Sequence, residues 1–368
     1  MSQDQELRTR LERAAGAMHI DADRSLEQFH RGRSRREVVR RVGTVALALA
    51  VAAIGLSVAW IWIARPGGSH PPAAPSVPTG TIAFMRASDK GMASSVFAAP
   101  VHGGTPVAIG TKSYADYPAW SPDGTSVAYG TGAGVNNTAL IVARADGGDA
   151  RRIVKNVSPE PLSWSPEGKR IAFIGDGNAV VHIVGASGTG DRRVIRGFWQ
   201  SVAWSPDGER LLLTGHPAGP NVDAVQGYDV YTVRPDGTGL EPLTHGGAYE
   251  GFATWSPDGA RILFTRGASF ETYAQDVFVM NADGSDVHRL TRWAGFDSFP
   301  VWSPDGKWIA FASDRDASRA QQRAIRTHGT FTNISLYVMR ANGSGVRRVF
   351  TAGNGEALLP GSWTKARR

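Results

Sequence analysis

The sequence contains no cysteine, which excludes a disulfide scaffold, a thiolate metal site, a cysteine nucleophile and a lipid-modified cysteine anchor. Lysine is scarce: only 6 of the 40 basic residues are Lys, so the formal charge of +7 is an arginine excess. That excess divides into +3 over residues 1–41 and +4 over the rest, with no Lys/Arg block beyond Arg31 to Arg41. Such dilution excludes the basic stripe that nucleic-acid binding requires. Also missing are a G-x-S-x-G elbow, a P-loop and a G-x-G-x-x-G between strand and helix. What the chain has in abundance is glycine, 44 of 368 residues, and tryptophan, 11 residues. At about 12% glycine against an ordinary 7%, with no G-X-Y period, many tight turns around a repeated aromatic position are expected.

One long uncharged run is present, Val42 to Ala64. As a helix it would reach about 34 Å, enough for a bilayer core. Arg31, Arg33, Arg35, Arg36, Arg40 and Arg41 precede it and only Arg65 follows, which orients the N-terminus to the cytoplasm. A cleaved leader is the competing reading, with Ser57-Val58-Ala59 as a small-residue site and Arg35-Arg36 loosely resembling a twin-arginine export signal. The division expected is a basic juxtamembrane tail with short helices at 1–41, a transmembrane helix at 42–64, a Pro/Gly-rich linker at 65–80 and a β domain at 81–368.

The β domain repeats. W-S-P-D-G occurs at Trp120–Gly124, Trp204–Gly208, Trp255–Gly259 and Trp302–Gly306, W-S-P-E-G at Trp164–Gly168, and Trp363 marks a truncated sixth copy. Periods of 40 to 61 residues with alternating strands predict a propeller, because one four-stranded unit cannot bury both its faces alone. A strand ends at each Trp, Pro and Gly form the turn, and an alternating strand such as Ile262-Leu263-Phe264 follows. The domain opens on a second strand, Thr81 to Phe84, and closes on a Trp strand, Leu358 to Trp363, so the two ends complete one another. The expected class is all-β: a six-bladed β-propeller of four-stranded antiparallel blades, preceded by a single N-terminal transmembrane helix and a short helical cytoplasmic tail.

The pattern P-x-W-S-P-D-G-x-x-I-A-F … Y-V-M-x-A-D-G-S-x-x-R-R-L-T resembles the TolB-like, WD-like β-propeller repeat, and is similar to the propellers of the tricorn protease, prolyl oligopeptidase and dipeptidyl peptidase families. The resemblance covers roughly residues 80–366. It implies the fold, and it implies function only weakly, because propellers host unrelated activities.

The acids Asp123, Glu167, Asp207, Asp258 and Asp305 recur at one turn position, and repetition argues for turn architecture. Trp120, Trp164, Trp204, Trp255, Trp302 and Trp363 read as packing anchors between blades. Long second loops, the longest Ala312 to Asn333, gather on the opposite face with inter-blade segments rich in aromatics and acids. The candidate binding residues on that face are Asp116, Tyr117, Glu160, Trp199, Glu250, Phe252, Asp297 and Phe299. To these the longest loop adds Arg315, Arg319, Arg323 and Arg326, with a short helix expected over Ser318 to Thr327 and its arginines on one side. Four acids near a channel mouth suit a cation or a basic peptide end, and the arginines an anionic polymer or lipid. No catalytic residue, cofactor or metal is assigned. His216, His245 and His328 would be the ligands of a metal lyase of the oligogalacturonate type, a reading set below the others.

The function expected is a non-enzymatic extracytoplasmic binding or scaffold module of the cell envelope, anchored by one membrane pass, with a protein or envelope polymer as partner. A transmembrane sensor acting on a cytoplasmic regulator is the alternative, and a propeller lyase or hydrolase the third.

Overall fold

A computed structural model describes residues 78–365 apart from 89–93, 111–114, 133–137, 159, 219–226, 269–273 and 329–331, and the side chains of 326–328. The expected tail at 1–41, membrane helix at 42–64 and nearly all of the linker at 65–80 therefore lie outside the described residues.

Four antiparallel four-stranded blades form. One joins β1 (Thr81–Ser88), β2 (Ser94–Pro100) and β3 (Val107–Gly110) to the last strand, β23 (Glu356–Thr364), in the order β23-β1-β2-β3. The next contains β4 (Ala115–Trp120), β5 (Ser126–Gly132), β6 (Thr138–Arg144) and β7 (Arg151–Lys155). A seven-stranded sheet runs from β8 (Ser163–Trp164) through β9 (Arg170–Gly175), β10 (Val180–Gly185), β11 (Arg192–Trp204), β12 (Leu211–Pro217) and β13 (Asp229–Val233) to β14 (Glu241–Pro242). Two further blades hold β15 (Tyr249–Trp255), β16 (Arg261–Gly267), β17 (Gln275–Asn281) and β18 (His288–Arg289), then β19 (Asp297–Trp302), β20 (Trp308–Ser313), β21 (Ser335–Arg340) and β22 (Arg347–Phe350).

This corrects the expectation of six separate four-stranded blades. The third and fourth repeats are one sheet because β11 is continuous. Its first residues pair with β10 as an outer strand, and from Gly197 onward it pairs with β12 as an inner strand. The segment R-R-V-I-R-G-F-W-Q-S contains no proline and only one glycine to break it.

The membrane-spanning helix is corrected as well. No helix among the described residues is long and apolar enough to cross a membrane. The described helix, α1 (Arg319–His328), is ten residues of R-A-Q-Q-R-A-I-R-T-H. With no spanning element among the described residues, the single-pass placement has no structure to carry it and is set aside.

Packing follows the repeat. Each sheet buries side chains against the next: Ala83, Val96 and Ile109 of the first blade meet Trp120, Val127 and Tyr129 of the second. At the turns Ser121, Ser205, Ser256 and Ser303 donate from Oγ to the carboxylate two residues on, at 2.5–2.6 Å. Those bonds hold the carboxyls of Asp123, Asp207 and Asp258 below the usual range. At the equivalent position Glu167 accepts from Arg170 Nε at 2.8 Å. The second turns need glycine twice over: Gly237 has φ +90°, and a Cβ there would lie 2.3 Å from the Val194 carbonyl of the neighbouring sheet segment.

Candidate functional site

Six inner segments, each leading toward a repeat Trp, surround a central channel. Counting back from the Trp, the third residue is Tyr117, Pro161, Ser201, Phe252, Phe299 or Pro360, and the fourth is Asp116, Glu160, Gln200, Gly251, Ser298 or Leu359. The pairing register of β4, β15 and β19 shifts at these positions, between Asp116 and Ala119, Gly251 and Thr254, and Ser298 and Val301. A bulge leaves its extra residue out of the ladder and re-aims its side chain.

Three of the bulge residues are aromatic and left-handed: Tyr117 at φ 44°, Phe252 at 53° and Phe299 at 54°. For bulky side chains that conformation costs roughly 1–3 kcal/mol each and persists only where surrounding packing enforces it. Here the enforcing contact is with one another. The Phe252 and Phe299 ring centroids are 3.9 Å apart, and Tyr117 and Phe299 6.0 Å. Together the rings line one end of the channel. Ile325 of α1, completely buried, joins the same cluster beside Phe296 and Leu359. The helix begins in a capping box, in which Ser318 Oγ accepts from Gln321 N at 3.3 Å and Gln321 Oε1 accepts from Ser318 N at 2.8 Å. Gln322 Nε2 ties it down through the carbonyls of Asp314 and Ala317 at 3.2 and 3.0 Å.

At the next register position Asp116 and Glu160 share one side of the mouth. Asp116 Oδ1 accepts from Ser94 Oγ at 2.5 Å, and Glu160 Oε1 accepts from Asn178 Nδ2 at 2.8 Å. Neither is ion-paired to a described basic side chain. Part of Glu160 still meets solvent, yet the surrounding protein desolvates its carboxyl, and together with the nearby charge of Asp116 this outweighs the Asn178 bond and pushes it up to about 8. Burial also raises Asp116, against the Ser94 bond. The Tyr117 phenol is raised well above its ordinary value by burial and by the charges of Glu160 and Asp116. Tyr228 is raised by burial and Glu160, and its ring lies 5.1 Å from that of Tyr249, whose hydroxyl accepts from Gln200 Nε2. The arrangement is an acidic pocket edged by phenols, suited to holding a cation.

The other expected binding residues are placed differently. Glu250 and Asp297 are buried and engaged: Arg266 donates to Glu250 Oε1 from Nε at 2.8 Å and from Nη2 at 2.5 Å, and Arg315 Nη2 donates to Asp297 Oδ2 at 2.5 Å. Arg315 thus belongs to the framework and also stacks over Trp293, Phe311 and Tyr337. Trp199 is core, edge-on to Tyr231 at 5.8 Å, while its neighbour Phe198 is 47% exposed. Arg319 and Arg323 are exposed on α1, and the side chain of Arg326 lies outside the described set. His216 is held against Phe198 and Tyr228, and the His328 side chain is not described. No group of three or more His, Asp or Glu that could hold a metal occurs among the described residues.

Gln200 holds the same register position as Asp116 and Glu160 and was readable from the repeat. Ser94, Asn178 and Ile325 were not, because they reach the mouth from other strands and loops.

No protein-family model matches the sequence. An uncharacterised protein of Agrobacterium fabrum is 26% identical over 149 residues, 39% of this chain and 48% of that protein. The chain thus spans about half the length of the curated relative it matches. Among solved structures, TolB from Acinetobacter baumannii superposes with a TM-score of 0.61 at 21% identity, over 77% of this chain and 66% of that one. A putative TolB from Agrobacterium tumefaciens gives 0.53 at 21% identity, over 79% of this chain and 100% of that one. A chain of a nidogen/laminin complex gives 0.55 at 14% identity, over 78% and 99%. The fold is a β-propeller, similar to that of the TolB structures.

Proposed function

We propose that this propeller is a non-enzymatic binding module, and that the mouth on its loop face receives a cationic group of a protein partner. The observation that carries the reading is the pair Asp116 and Glu160, desolvated, bordered by Tyr117 and Tyr228, and paired with no described guanidinium or ammonium. A bound cation would stabilise both carboxylates and draw the proton from Glu160, so binding should release a proton near neutral pH. Phenol rings beside the carboxylates add attraction for ammonium or guanidinium. Binding is favoured over turnover because Glu250 and Asp297, the remaining acids of the mouth, are committed to ion pairs that hold β15 and β19 to their own blades. A protein occupant is favoured because a structure of similar fold was crystallised as a nidogen/laminin complex.

Calorimetry of the full chain with a tetralysine peptide tests this. Affinity should fall at least tenfold in the Asp116→Asn, Glu160→Gln double variant and stay unchanged in Asp258→Asn on the opposite face. Equal affinity in all three proteins would end the proposal.

A further inference from the structure

Behind the three rings the channel continues as a cavity of about 200 Å³. Its lining begins at Tyr117, Phe252 and Phe299 and contains none of the fourth-position residues, so it stops at the rings. In the other direction it includes Trp120 and Pro122, which lead into the W-S-P-D-G turn. The cavity thus runs from the three rings toward the short-turn face.

The chemistry of this cavity is unlike that of the mouth. No charged side chain lines it. Three of its hydroxyls are already used within the fold. Ser362 Oγ accepts from Trp120 N at 2.8 Å, Ser163 Oγ accepts from Trp204 N at 3.0 Å, and Ser201 Oγ bonds Thr214 Oγ1 at 2.6 Å. Apart from the Thr254 hydroxyl and the Tyr117 phenol, what is left is proline, aliphatic and aromatic surface, which recognises mainly by shape and dispersion. An engineered apolar cavity of about 150 Å³ is enough to hold benzene.

From this geometry we infer that the channel is a second binding site, open on the short-turn face, for a compact neutral apolar molecule of one or two rings. A charged ligand is disfavoured because it would give up its hydration with no opposite charge in the lining to replace it. A peptide is disfavoured by size, since the space ends at the three rings. The left-handed backbone at Tyr117, Phe252 and Phe299 thereby gains a role, as the floor of this site. The inference is independent of what occupies the acidic mouth.

Toluene is the probe. Added to the full chain, it should give a saturable rise in Tm and a matching change in tryptophan emission, because Trp120 and Trp164 line the cavity. Both responses should disappear in Ala253→Leu, which fills space at the wall. No saturable response in the unaltered chain, or the same response in Ala253→Leu, overturns the inference. Should Ala253→Leu fail to fold, xenon-pressurised crystals of the unaltered chain decide: xenon between Phe299 and Pro122 supports the site, and xenon elsewhere or nowhere refutes it.

Discussion

Two pairs of acids, one register apart on equivalent inner segments of different repeats, have opposite fates. Glu250 and Asp297 stand five residues before their Trp, and Asp116 and Glu160 stand four before. In a strand a shift of one residue turns a side chain to the other face. The first pair thereby meets Arg266 and Arg315, whereas opposite β4 the residue aligned with Arg266 is Thr131. Burial raises the carboxyls of all four, and only the first pair has a guanidinium to answer it. Desolvation is thus common to all four acids, and the absence of a resident cation is what sets Asp116 and Glu160 apart.

The sharpest way to break this contrast is Arg315→Met. It leaves Asp297, which is completely buried, with the Ser313 hydroxyl but without its guanidinium and should cost about 3–5 kcal/mol at neutral pH. Part of that loss should return on acidification, as Asp297 takes up a proton. Urea unfolding at pH 7 and pH 5 measures both, and a loss below about 1 kcal/mol would mean the pair is not structural.

The pair without a guanidinium should show the reverse response. Glu160 is raised from 4.5 to about 8, so the folded state binds the extra proton between those values. Its contribution is present below about pH 4.5 and is lost as pH rises through about 8. Glu160→Gln should consequently gain about 1–3 kcal/mol at pH 8 and nothing at pH 4. Parallel pH–stability curves for the two proteins would contradict this.

Smaller effects sharpen the rest. Ser94→Ala removes the hydrogen bond to Asp116 and should cost about 0.5–1.5 kcal/mol, with the Asp116 carboxyl moving further up in an NMR titration. Arg319→Gln, on the exposed side of α1, should stay within about 0.5 kcal/mol by thermal unfolding. A larger change would assign that arginine a structural role like that of Arg315.

Much of this was legible in the chain. The W-S-P-D-G turns, the inner-strand aromatics and Asp116, Tyr117 and Glu160 could be placed from the repeat, because a fixed period puts equivalent residues at equivalent depth. Arg315 could not be separated from Arg319 that way. Both belong to one loop, and only the packing shows that one reaches back to Asp297 while the other faces solvent. Trp199 illustrates the same limit, since the alternation of β11 through its bulge decides that Trp199 enters the core and Phe198 leaves it.

The sequence by itself determined the propeller and its turn chemistry, since both rest on local φ preference and a repeated period. Tertiary structure alone decided three things. It joined the third and fourth repeats into one sheet, gave cations to two buried acids and withheld them from two others, and brought three bulged aromatics together at one end of the channel. Each depends on distances between segments far apart in the chain. The residue pattern constrains such distances only through the fold as a whole.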